Sequence, residues 1–125
     1  MFFSLSGAQQ EDLLAAFWQA LSNPIRLRVL DTLRTQGPLN VSQLVQQLEM
    51  GQGHLSNHLT CLKSCGLVRA EAHGRYVFYS LSDERVSILL DVSRAMLHDH
   101  LLGIASCHFV KPSDTQDADN VPRPG

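Results

Sequence analysis

Residues 42–68 read SQLVQQLEMGQGHLSNHLTCLKSCGLV, and the way this stretch divides decides the fold. Leu44, Val45 and Leu48 recur at helical spacing, Met50-Gly51-Gln52 interrupts, and Leu55, Leu59 and Leu62 resume the period as far as Gly66. Apolar residues at three- and four-residue steps mark one face of a helix. Asn40, with Gln43 three residues on, forms an N-terminal signal close to a capping box. Gly66 stands where helices commonly stop in a left-handed residue. The stretch predicts two short helices joined by a tight turn, the second running from about Gly53 to Ser64.

Upstream, AQQEDLLAAFWQALS (8–22) places Leu13, Leu14, Phe17, Trp18 and Leu21 on a helix. NPIRLRVLDTLRTQGP (23–38) follows, with Asn23 as N-cap, Pro24 at the first helical position and Gly37-Pro38 as terminator. Ile25, Val29, Leu30 and Leu33 give this helix its apolar face. Downstream, LVRAEAHGRYVFYSL (67–81) changes period, and β-branched and aromatic residues on both sides of His73-Gly74-Arg75 predict a hairpin turning at Gly74. Ser82 is the expected cap of a final helix reaching about Ile104, with Asp83 and Glu84 in its first turn, where the macrodipole favours acids. That helix is apolar nearly all round: Val86, Ile88, Leu89, Leu90, Val92, Met96, Leu97, Leu101 and Leu102. A helix with so little polar face must be covered on two sides, which points to a subunit interface. The whole is mainly α with a small β-hairpin, a winged helix–turn–helix. Residues 1–110 are expected to form one DNA-binding and dimerisation domain, and the polar, proline-containing residues 111–125 a disordered tail.

Charge permits a nucleic-acid partner without demanding one. The 125 residues carry a net charge of −2, but residues 24–80 hold Arg26, Arg28, Arg34, Lys63, Arg69 and Arg75 against Asp31, Glu49 and Glu71. A basic middle on an acidic chain leaves room for phosphate contacts. No apolar run approaches the ~18 residues of a membrane span, and MFFSLSGAQQ lacks the basic start of a secretory signal. A cytoplasmic protein with reduced thiols is therefore expected. There is no paired acid–base set and no phosphate loop, so an enzyme is not expected.

On the helical wheel of residues 53–64, Leu55, Leu59 and Leu62 form the core side. Gly53, Ser56, Asn57, Thr60 and Ser64 gather on another, and short hydrogen-bonding side chains suit a helix laid against base edges and phosphates. An ordinary solvated helix surface has the same composition; the tight turn before it and the hairpin after it favour the DNA reading. The candidate DNA contacts are Gln52, Gly53, His54, Ser56, Asn57, Thr60 and Lys63, with Arg75 at the hairpin tip. His54, His58, Cys61 and Cys65 form a stripe between the two faces, outside the core. Residues four apart on a helix lie about 5–6 Å from each other at Cβ, so the thiolates of Cys61 and Cys65 can converge on one ion. The same pair is compatible with simple packing of buried thiols or with a redox or reactive-sulfur sensor, which needs accessible cysteines of low pKa.

SNPIRLRVLDTL, the opening stretch and HGRYVFYSL together resemble the ArsR/SmtB family of dimeric winged-helix repressors, over roughly residues 10–105. Within that family the pair in NHLTCLKSCGLV is similar to the cadmium- and lead-responsive CmtR type. The resemblance implies a homodimer that pairs through its first and last helices and binds operator DNA in the absence of metal. It implies that Cys61 and Cys65 are joined as metal ligands by a third cysteine from the other subunit's C-terminal region, which matches Cys107. Three sulfurs select soft ions, so Cd(II) or Pb(II) is the expected effector, with Hg(II) or Zn(II) as further candidates and His108 as a candidate fourth ligand. Two other site types of the family lack their full ligand sets in these residues. NVSQLVQQLEM carries no cysteine, and neither register of the last-helix zinc pattern, begun at Asp91 or at His98, supplies four ligands. The density of His98, Asp99 and His100 keeps a zinc sensor built on last-helix histidines as the alternative.

Overall fold

A computed structural model describes residues 1–103. Their order is a short 3-10 turn at Phe2–Ser4, then α1 (Gly7–Leu21), α2 (Pro24–Gln36), β1 (Leu39–Asn40), α3 (Val41–Leu48), α4 (Gln52–Ser64), β2 (Val68–His73), β3 (Tyr76–Leu81) and α5 (Glu84–Asp99). The chain divides into two compact units, Met1–Ser87 and the part from Ile88 onward.

In the first unit, α1, α2 and α3 each begin where a side chain can satisfy free amides of the first turn. The Asn23 side chain accepts from the amides of Ile25 and Arg26, with Pro24 at the first helical position. Asn40 and Gln43 complete the expected capping box of α3. Ser6 and Gln9 form a second box at the start of α1, a signal the apolar periodicity of that helix does not carry. The core gathers Val29, Leu30 and Leu33 of α2, Leu44 of α3, and Leu55, Leu59 and Leu62 of α4. The three α4 leucines are no more than 1% exposed, as their single-sided spacing requires.

The hairpin turns at Gly74, whose φ of +65° places it in the region open to glycine. β2 and β3 pair antiparallel from Val68 opposite Leu81 to His73 opposite Tyr76. A third strand, unforeseen in the sequence, is the two-residue β1, which pairs Leu39 with Tyr79 and Asn40 with Phe78, giving the order β1-β3-β2. It ties the wing to the connection between α2 and α3.

The expected cap of the last helix is corrected. The Asp83 carboxylate accepts from the amide of Arg85 at 2.6 Å, while the Ser82 hydroxyl donates to the carbonyl of Gly66 at 2.6 Å. A carboxylate is the stronger acceptor for a helix N-terminus, and Ser82 is drawn to a carbonyl at the end of α4 instead. In the second unit, α5 continues to Asp99 and presents Ile88, Val92, Met96 and Leu97, each 40–60% exposed. Helical residues recur at 101–103, and the expected end at Ile104, Cys107, His108 and residues 111–125 lie outside the described residues.

Candidate DNA-reading helix and its cysteine pair

The connection into α4 is short because two residues take unusual roles. Glu49 closes α3 in the left-handed region, at φ 53°, and Gly51 caps α4 without a side chain. Gln52, Gly53 and His54 consequently stand exposed on the first turn of α4, at the helix end that favours anions. Asn57, Thr60, Lys63 and Ser64 are exposed farther along, while Ser56 is half-buried. The Thr60 hydroxyl donates to the Ser56 carbonyl at 2.9 Å, leaving its oxygen as an acceptor and its methyl group for outside contacts. Arg75 is exposed beside Gly74 at the tip of the wing.

The far end of α4 is fixed by a two-bond stop. The Leu67 amide donates to the Leu62 carbonyl at 2.9 Å and the Gly66 amide to the Lys63 carbonyl at 3.0 Å, with Gly66 at φ +77°. This is a Schellman closure, which requires a residue free to adopt positive φ. Cys65 is the residue just before that glycine, and its amide donates to the Cys61 carbonyl at 3.0 Å. Both cysteines are free thiols outside any disulfide, neither fully buried nor fully exposed. Burial pushes the Cys65 thiol up, the neighbouring Cys61 thiol adds to this by charge and hydrogen bonding, and the Arg26 guanidinium offsets part of it. A cysteine held protonated is a poor nucleophile toward oxidants. It still becomes a metal ligand, because a soft ion displaces the proton.

Sequence reading placed His58 outside the core, with the cysteine stripe. The structure buries it to 8% exposure. The reason is Arg26 at the start of α2, whose Nε donates to His58 Nδ1 at 3.1 Å and whose Nη1 donates to the Ala20 carbonyl at 3.3 Å. On its other side, His58 Nε2 lies 3.2 Å from His54 Nε2. Burial, then His54, then Arg26 hold the His58 imidazole below its ordinary value. The only trace of this arrangement in the sequence is the four-residue spacing of the two histidines; the α2 partner is 32 residues away.

No group of three or more His, Cys, Asp or Glu side chains that could hold a metal occurs among the described residues. Cys61 and Cys65 are thus two donors of a potential set, and they fit a soft ion by chemistry and by their shared helix face. His98 and Asp99 lie 3.5 Å apart on α5, both well exposed.

The model of the bacterial regulatory proteins of the arsR family matches residues 23–70, the span from the cap of α2 into β2. The regulator CmtR of Mycobacterium tuberculosis is 39% identical over 83 residues, covering 66% of this chain and 70% of its own length. The chain belongs to the ArsR family. A probable mercury resistance operon repressor of Streptomyces lividans is 32% identical over 96 residues, covering 77% of this ArsR-family chain and 76% of the relative. Among solved structures, the homodimeric winged helix-turn-helix DNA-binding domain Mb0332 of Mycobacterium bovis, described as a possible ArsR-family transcriptional regulator, superposes with a TM-score of 0.70 at 32% identity. That match covers 78% of this chain and 91% of that one. The winged helix–turn–helix is thereby established, and with it a DNA-binding transcriptional regulator. No helix among the described residues is long and apolar enough to cross a membrane.

Proposed function

We propose that this ArsR-family regulator is a metal-responsive repressor that holds its operator as a metal-free homodimer and lets go when a soft ion binds at Cys61 and Cys65. The observation that carries the reading is the position of the pair: two thiols four residues apart, Cys61 in the last turn of α4 and Cys65 at its cap, where the Schellman closure fixes the helix end. An ion bound there is coupled to the helix that reads DNA. Cys107 of the partner subunit would be the third ligand. Three sulfurs suit Cd(II), Pb(II) or Hg(II), and the similarity to a mercury operon repressor agrees with a soft effector.

Dimerisation is assigned to the exposed apolar faces of α1 and α5. Leu13, Leu14 and Trp18 on the first, and Ile88, Val92 and Met96 on the second, are each 46–60% exposed in the single chain. Large apolar side chains exposed in this way on a helix mark an interface. A two-fold dimer would present two α4 helices to major grooves about 34 Å apart on a palindromic site. The raised Cys65 thiol argues against Cys65 itself as the reactive thiol of an oxidant sensor. Adding Cd(II) to the reduced protein should produce an ultraviolet thiolate-to-metal band that is weakened in each of Cys61→Ser, Cys65→Ser and Cys107→Ser. Three variants that retain the full band and wild-type affinity would refute the cysteine site.

A further inference from the structure

The Arg26, His58 and His54 side chains form a directed chain of hydrogen bonds from the start of α2 to the exposed first turn of the reading helix. The direction follows from the chemistry of its first member. An arginine guanidinium is always protonated and only donates. His58 Nδ1, 3.1 Å from Arg26 Nε, must therefore be the acceptor, and a neutral imidazole that accepts at Nδ1 carries its proton on Nε2. That proton faces His54 Nε2 at 3.2 Å, so His54 accepts there and carries its own proton on Nδ1. The rings are 4.8 Å apart between centroids. No other assignment lets both hydrogen bonds exist with neutral rings. It also leaves neither Nε2 lone pair free, so the two histidines are not a ready metal pair despite their spacing.

We infer that Arg26 is a positioning residue for DNA recognition: acting through His58, it sets His54 to offer an Nδ1–H donor to a hydrogen-bond acceptor on the operator. The guanidinium is well placed to do so. The Asn23 cap accepts from Arg26's own amide, and the Ala20 carbonyl takes a second guanidinium hydrogen, so the donor is held from both ends. His54 is the exposed member and lies on the first turn of α4, the end that enters the groove in a helix–turn–helix. The inference rests on α4 being the reading helix. The acceptor is a phosphate oxygen or a purine edge, two sources of the same chemistry.

The test combines a spectrum and a mutant cycle. Long-range 1H–15N spectra of the metal-free dimer, above the histidine titration range, should show His58 protonated on Nε2 and His54 on Nδ1. The reverse tautomer at either ring overturns the inference whether or not any variant folds. Operator affinity by fluorescence anisotropy should fall about five- to tenfold in His54→Ala and in Arg26→Met, the loss of roughly one hydrogen bond. The double variant should lose no more than either single one, since the two residues act as a unit. Additive losses would mean that Arg26 only stabilises the fold, and the inference fails. An unchanged affinity in His54→Ala alongside a weakened Asn57→Ala also overturns it while keeping α4 as the reader. If Asn57→Ala binds normally as well, the reading of α4 itself is wrong. Where the predicted loss is uniform over operator variants the acceptor is a phosphate, and where it is confined to one base pair the acceptor is that base.

Discussion

Cys65 caps the end of α4 and His58 lies midway along it, and their protons respond to burial in opposite ways. The thiol is pushed up, so a bound ion must displace a proton that the fold helps to retain. Affinity for Cd(II) is therefore expected to rise with pH up to the thiol range, measured by competition with a chelator of known pH dependence. The imidazole is pushed down, so the unfolded chain takes up that proton first. Its contribution to stability is complete above the ordinary histidine value of 6.5 and is lost as pH falls toward the lower folded value. The thermal midpoint of the wild type should drop across that interval, and His58→Gln should flatten the drop. An identical profile in both proteins would show that His58 is not the group responsible.

At the scale of elements, the end of α4 is the part on which the site depends most. Gly66 holds φ +77°, a conformation that costs a residue with a Cβ about 1–2 kcal/mol. Gly66→Ala should lower the unfolding free energy by that amount in urea titration, and should weaken metal binding by loosening the turn that carries Cys65. Normal stability would mean the closure contributes nothing. The same elements show what could be read directly in the chain. Period, caps and stops all act over a few residues, which is why Asn23, Asn40 and Gly66 marked α2, α3 and the end of α4 where the structure has them. The two-residue β1 could not be read, because Leu39 and Asn40 become a strand only by meeting Tyr79 and Phe78 some forty residues later. Ser82 was misjudged for a related reason: its hydroxyl had a better partner in Gly66, distant in sequence. The core side of the α4 wheel was correct for the leucines and wrong for His58, because Arg26 makes a buried imidazole affordable by supplying a charged donor.

At the scale of the molecule, membership of the ArsR family accounts for the helix–turn–helix and wing, and the exposed apolar residues of α1 and of α5 are where the proposed homodimer would pair. Val92→Asp places a charge on exposed apolar surface of α5 and should shift sedimentation equilibrium toward monomer and weaken operator binding together. A dimer that survives the change would move the interface elsewhere. The central claim is that metal at the cysteines is coupled to release of DNA, a coupling in which each ~1.4 kcal/mol is worth tenfold in affinity. The most direct measurement is operator anisotropy of the reduced protein as Cd(II) is added, repeated with Cys61→Ser and Cys65→Ser. The wild type should release DNA at stoichiometric metal, and both variants should retain it. Release that is equally complete without either cysteine, or a wild type that stays bound with metal at saturation, would contradict it.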